Sequence, residues 1–148
     1  MYSYLILFHS WFRWFVIILA IISIFYLLKI PLTKTSNHQK LLWLYDQFFG
    51  YQFLIGSTMW LTFSPMAKVV FNDWSLVFEN YTYFFWGVQH PLTMFIALGV
   101  WHAFQAKGRR TGLAKNYFKG ILFSLFLIAT AIPWPWLGHG RDWFRWSL

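Results

Sequence analysis

The chain has 148 residues, of which 59% are hydrophobic, 25% aromatic and only 11% charged, whereas a soluble globular domain carries about a quarter of charged residues. It therefore reads as one membrane-embedded domain. It has no cysteine, which excludes disulfides, thiolate metal sites, iron–sulfur clusters and thioether attachment of a prosthetic group. The net charge of +8 is gathered in two short connections between apolar runs, so it reads as a topology signal and no nucleic acid is expected as partner.

The first apolar segment runs from about residue 2 to 28. Its uncharged stretch, Trp14 to Leu28, spans only ~22 Å as a helix, less than the ~30 Å hydrocarbon core, so the span recruits residues back towards His9 and takes Arg13 inside the membrane boundary. No cleavable signal peptide is expected, because a basic start and a small-residue cleavage site are missing. A polar connection with Lys29, Pro31, Lys34, Ser36, Asn37 and Lys40 comes next. The second segment, about 41 to 64, is interrupted by Asp46, Gln47 and Gln52. Residues 65 to about 83 mix Lys68, Asp73 and Glu79 with many aromatics and read as a short interfacial helix or loop at headgroup level.

The third segment, about 84 to 106, precedes the basic connection Lys107 to Lys119. The fourth, 120 to about 137, closes with Pro133-Trp134-Pro135-Trp136, and a tail with His139, Arg141, Asp142 and Arg145 is expected to rest on the membrane surface. Lys29, Lys34, Lys40, Lys107, Arg109, Arg110, Lys115 and Lys119 fall on one side, and Arg13, Lys68, Arg141 and Arg145 on or towards the other. The expectation is an all-α, four-helix transmembrane bundle in a bacterial inner (cytoplasmic) membrane, with both termini on the outer, periplasmic side.

In that topology His9 and His90 lie at similar depth near the outer ends of the first and third helices. An ionisable group inside a bilayer is by default a functional candidate, and two imidazoles from facing helices are the axial ligand set of a b-type haem. The competing reading makes His9 a headgroup-level anchor and His90 a helix cap before Pro91. Arg13, one turn after His9, is placed to meet a propionate or lipid phosphate, or to snorkel to the interface. Gln52 and Gly56 share a face of the second helix, where a macrocycle or a neighbouring helix approaches. His90, Met94, Ala97 and Trp101 form a helical stripe that serves the same pocket or ordinary packing. Asp46 is expected to pair with a lysine or face water. His102 lies about 18 Å deeper than His90; with only His38 as a possible partner, it is assigned a quinone or proton site, or a bond to a backbone carbonyl.

The motifs His9-Ser10-Trp11-Phe12-Arg13-Trp14, Gln52-x-x-x-Gly56, Gln89-His90-Pro91-x-x-Met94-x-x-Ala97 and Pro133-Trp134-Pro135-Trp136 resemble those of small four-helix membrane proteins labelled cytochrome b-like, loosely similar to the cytochrome b561 group. The resemblance implies a redox role with haem as cofactor, carried by His9 and His90. The chain departs from true b561 proteins, which are expected to bring two pairs of intramembrane histidines, since only His9, His90 and His102 lie in its helices.

The leading expectation is an electron-transfer protein with one haem b near the outer face, its site made by His9, His90, Arg13, Gln52, Gly56 and Met94. Its partners would be the bilayer, quinone and other subunits of a membrane complex. The alternative is a haem-free structural or accessory subunit of a respiratory or secretion complex, favoured by the wide aromatic faces. A small transporter using Asp46, His102 and Gln52 is a third reading, weakened by the lack of a repeat. No acid–base pair, nucleophile triad or phosphate loop points to an independent enzyme.

Overall fold

The computed structural model describes residues 2–29, 39–142 and 144. The residues between, including His38 and most of the first polar connection, and the end of the tail with Arg145 lie outside the described residues. Among the described residues every regular element is helical, with no strand.

Four long helices carry the fold: α1 Tyr2–Lys29, α2 Gln39–Thr58, α6 His90–Thr111 and α7 Ala114–Ala131. Between α2 and α6 lie three short helices, α3 Pro65–Asn72, α4 Leu76–Glu79 and α5 Tyr81–Phe84, flanked by π turns at Met59–Phe63 and Phe85–Gln89. The expected interfacial segment is thus broken into pieces, and its polar residues explain where. Ser64 caps α3, its Oγ accepting from the Ala67 amide at 3.3 Å ahead of Pro65. Asp73 accepts from the Ser75 amide and hydroxyl, and Asn80 accepts from the Thr82 amide. Short polar side chains that bond nearby backbone favour such turns over a continuous helix.

Among the described residues one helix, α1, is long and apolar enough by itself to cross a membrane. The run Gln39–Phe63 passes the same test together with Pro65–Asn72, the two meeting at a bend of 55°.

The helices contact in a closed ring, with α1 on α2, α2 on α6, α6 on α7 and α7 back on α1. The turn between α6 and α7 is tight: Gly112 has φ 66°, and its amide bonds the Gly108 carbonyl, a helix end suited to a residue without Cβ. Gly108 and Gly120 let these two helices close up. A Cβ at Gly108 would stand 2.6 Å from the Tyr117 ring, and one at Gly120 would stand 2.7 Å from Phe104. Inside the ring, Val16, Ala20, Leu27, Tyr45, Phe49, Ala97, Trp101, Ile121 and Ile128 form the core. The Tyr45 hydroxyl bonds Ser124 Oγ at 2.8 Å, and Ser124 passes the chain on to the Ile121 carbonyl. This satisfies two polar groups whose burial alone is costly.

The fourth helix ends at Ala131, six residues before the boundary expected near 137. Ile132, at φ −72° and ψ 129°, already has extended backbone, the conformation that a following proline favours. The tail folds back on the bundle: the Arg141 amide bonds the Pro133 carbonyl at 2.9 Å, and Phe144 stacks on Trp14 with centroids 5.2 Å apart.

Candidate functional site

The end of the bundle that holds the start of α1 and the end of α7 contains a cleft of about 1050 Å³ of space between atoms, part of it open to the surroundings. Its walls come from α1, α2, α6, α7 and the tail, and they include all six residues that the sequence singled out: His9, Arg13, Gln52, Gly56, His90 and Met94.

His9 and His90 face each other there, with ring centroids 6.2 Å apart and ring planes at 72°. The π turn Phe85–Gln89 feeds directly into His90. It is tied to the other π turn, Met59–Phe63, by the indole of Trp60, which donates to the Gly87 carbonyl at 3.0 Å. Val70 of α3 packs into the space beside Gly87, where a Cβ would lie 2.8 Å away. A π turn inserts an extra residue into the helix and so re-aims the side chains beyond it.

The His90 ring is fixed from behind, Nδ1 standing 2.7 Å from the Ala131 carbonyl. Because a carbonyl only accepts, Nδ1 carries a proton, and in the neutral imidazole Nε2 keeps its lone pair. This is how metal-binding histidines are commonly oriented by their surroundings. His9 differs: its Nδ1 is buried with no hydrogen-bond partner among the described residues. Gln52 donates from Nε2 to the His9 carbonyl at 2.9 Å, and its own Oε1 is likewise buried and unpartnered. A buried polar atom without a partner is uncommon and calls for a ligand, a water or a proton.

Gly56 has a different use from the one expected of it. A Cβ there would stand 2.8 Å from His9 Cε1, so the missing side chain makes room for the His9 ring rather than directly for a macrocycle or a helix. Met94 lines the cleft and also packs on the core, while Ala97 and Trp101, further along the same stripe, are fully buried packing residues. Arg13 lines the cleft with its guanidinium 5.1 Å from the Trp14 ring centroid.

Sequence reasoning did not assign Arg141 to this site. The folded-back tail sets its guanidinium 4.0 Å over the Trp86 ring at the cleft wall, a favourable cation–π distance. A third histidine, His139, is buried against Phe85 and Tyr81, with centroids 3.9 and 5.0 Å away, and burial holds it below the ordinary imidazole range. The tail's mixture of arginine, histidine and aromatics was the available signal.

The two rings bring imidazole nitrogens, the donor type that a haem iron takes from histidine, to one cleft with centroids 6.2 Å apart. The cleft walls also carry the guanidiniums of Arg13 and Arg141 and the carboxylate of Asp142, and the imidazole pair with the two guanidiniums fits the donor and counter-charge needs of a b-type haem. Among the described residues no group of three or more histidine, cysteine or acidic side chains gathers to hold a bare metal ion.

At the opposite end the structure corrects the expectation for Asp46. Its Oδ1 accepts from the Trp101 indole at 2.7 Å and lies 3.1 Å from His102 Nε2, so its partners are on α6 rather than a lysine. Compared with known proteins, the chain matches no family model, no curated protein and no solved structure.

Proposed function

We propose that the chain is a four-span membrane protein that holds one b-type haem between His9 and His90 near the outer face and passes electrons between a quinol pool and a periplasmic or complex-bound partner. The observation that carries this reading is the pair of rings 6.2 Å apart, one fixed through Nδ1 and the other with an unused buried nitrogen. Support for four spans comes from the large apolar side chains exposed on every long helix, including Ile18, Phe25, Leu54, Phe95, Ile96, Phe123 and Phe126. Such surface exceeds what a water-soluble monomer leaves uncovered. The described basic residues Lys29, Lys40, Lys107, Arg109, Arg110, Lys115 and Lys119 gather at one end, which becomes the cytoplasmic side.

In this reading His9 and His90 would hold the group through ring nitrogens, and Arg13 and Arg141 would offset its carboxylate charge at the cleft wall. The bound group supplies reversible one-electron exchange at iron. Ala131 holds the His90 ring and its tautomer through its carbonyl. Met94, Ile6, Val16 and Ile128, which line the cleft, keep water from the buried nitrogens and favour the less charged state of the site.

A second reading, as a haem-free accessory subunit of a larger membrane complex, draws on Trp74 and Phe78, exposed at 54% and 91% on the segment between α3 and α5. A reduced-minus-oxidised absorption spectrum of gently extracted protein separates the two. The haem reading expects b-type bands that are lost in His9→Ala and in His90→Ala and kept in His102→Ala. Protein free of haem from its native membrane would leave the accessory-subunit reading.

A further inference from the structure

Among the described residues, the basic end of the bundle holds one acidic side chain, Asp46. Asp73 and Glu79 lie on the segment between α2 and α6, and Asp142 lines the His9 cleft. The Asp46 carboxylate is already engaged, accepting from the Trp101 indole at 2.7 Å and standing 3.1 Å from His102 Nε2. Three helix ends frame a cleft in this region, of about 910 Å³ of space between atoms, part of it open to the surroundings. The start of α2 brings Gln39 and Lys40, the end of α6 brings Gln105 and Arg109, and the start of α7 brings Tyr117. Gln105 is buried and accepts from the Arg109 guanidinium, which orients the planar fork while further N–H groups on it can donate elsewhere. Arg110 lines a shallower depression that shares Asp46, Gln105 and Arg109 with the cleft. Further along α2, Leu42 and the Trp43 indole, 58% exposed, form an apolar wall that continues into the exposed Leu44.

Lys40, Arg109 and Arg110 outnumber the one carboxylate in this lining, so its ligand is an anion. The apolar wall next to the cations requires that the same ligand carry hydrocarbon. In the four-span reading this level is the cytoplasmic boundary of the bilayer, where anionic phospholipids concentrate and basic pockets between helices take their headgroups. We propose that the cleft is a specific site for one anionic phospholipid, its phosphate bound between Lys40 and Arg109 and an acyl chain laid along Leu42 and Trp43. A guanidinium matches phosphate oxygens through its fork of donors, and the lysine adds a point charge. Asp46 is held by Trp101 and His102 about 9 Å further along α2 than Lys40, below the level of the phosphate. The depth of the cleft follows from the four-span reading above, but its cations owe nothing to the His9–His90 site.

The test is native mass spectrometry of the full, delipidated chain in detergent, titrated with dioleoyl phosphatidylglycerol or with phosphatidylcholine bearing the same acyl chains. One phosphatidylglycerol per chain is expected to bind about fivefold or more tightly than phosphatidylcholine. Lys40→Gln and Arg109→Gln each remove most of that preference. Lys115→Gln combined with Lys119→Gln, which takes two cations from the same end but none from the cleft lining, leaves it unchanged. Lys40 is exposed, so its variant keeps the fold even if Arg109→Gln does not. Equal affinity for the two lipids, or a loss at Lys40 no greater than at the Lys115 and Lys119 pair, would overturn the proposal and leave a diffuse basic surface. Displacement of the lipid by millimolar inorganic phosphate would also overturn it, marking a site for a soluble anion. Orientation is read separately: the chain has no cysteine, so in the four-span reading an impermeant maleimide labels Lys115→Cys from the inner side alone. Labelling from the outside with phosphatidylglycerol binding intact keeps the site and discards that orientation.

Discussion

His9 and His90 meet across the mouth of the bundle because each is steered by a backbone feature remote in sequence. The His9 ring lies over Gly56 of α2, and the His90 ring is tied to the Ala131 carbonyl at the end of α7. Both contacts come from helices other than the one that carries the histidine, so the pair is a product of how four helices end at one level.

Gly56→Ala tests the first of these. The new methyl would fall 2.8 Å from His9 Cε1, and overpacking of this kind typically costs about 1–3 kcal/mol. The expected outcome is a displaced His9 ring, which on the proposed haem reading shows as a changed reduced-minus-oxidised spectrum and lower haem retention. Gly50→Ala, where a Cβ meets nothing within 4 Å, leaves both unchanged and stabilises the helix by about 0.4–1 kcal/mol.

Close approach of α6 and α7 makes a second contrast. Gly108→Ala forces a methyl against the Tyr117 ring, to which it would come within 2.6 Å. A loss of about 1–3 kcal/mol is expected in detergent unfolding. Gly108→Ala combined with Tyr117→Leu recovers part of that loss; full additivity of the two changes would show that they do not act through one contact.

The buried Tyr45–Ser124 bond, at 2.8 Å, sets up a thermodynamic cycle. Tyr45→Phe removes the donor while Ser124 keeps its bond to the Ile121 carbonyl, so a loss of about 0.5–1.5 kcal/mol is expected. The double variant with Ser124→Ala should cost less than the sum of the single changes, as chemical denaturation of all four proteins measures.

His139 predicts a pH dependence with a definite sign. Its folded-state pKa is lowered from 6.5 by burial against Phe85 and Tyr81, so the folded state resists protonation that the unfolded chain accepts. Stability is therefore full above about 6.5 and declines as pH falls from there towards the lower folded value. His139→Phe keeps the ring stack, removes a buried Nε2 that has no hydrogen-bond partner among the described residues, and abolishes that part of the decline. Melting temperatures of both proteins from pH 7.5 to 5 check it; parallel curves would refute the assignment.

Much of the helical framework is legible from residue pattern. The long apolar runs fall close to the four long helices, and the basic connections mark one end, because hydropathy and charge are local properties that a chain displays before it folds. Glycine, proline and capping residues are legible too, yet less surely. Pro133 ends α7 earlier than the apolar run does, since the restriction it places on Ile132 outweighs the hydropathy of the next residues. Ser64, Asp73 and Asn80 likewise break what composition alone reads as one interfacial piece.

The pairing of His9 with His90 was legible as a matter of depth, which comes from counting residues along straight helices. Azimuth was not. The π turn before His90 and the Trp60 bond that ties it to the opposite turn rotate the ring by an amount that no periodicity announces. Asp46 could not be matched to Trp101 and His102, because their meeting depends on which helices are neighbours. Arg141 reached the cleft only through the backbone bond that returns the tail to Pro133.

Sequence by itself determined that this chain is helical and strongly apolar, where its charges lie, and that any metal must be held without thiolates. Tertiary structure decided which side chains face one another, which glycines receive a neighbouring ring, and where buried nitrogens are left with capacity to bind. The division has one physical cause: burial and helix formation depend on each residue and its near neighbours, whereas a binding site depends on distances between residues far apart in the chain, which exist only once the helices have packed.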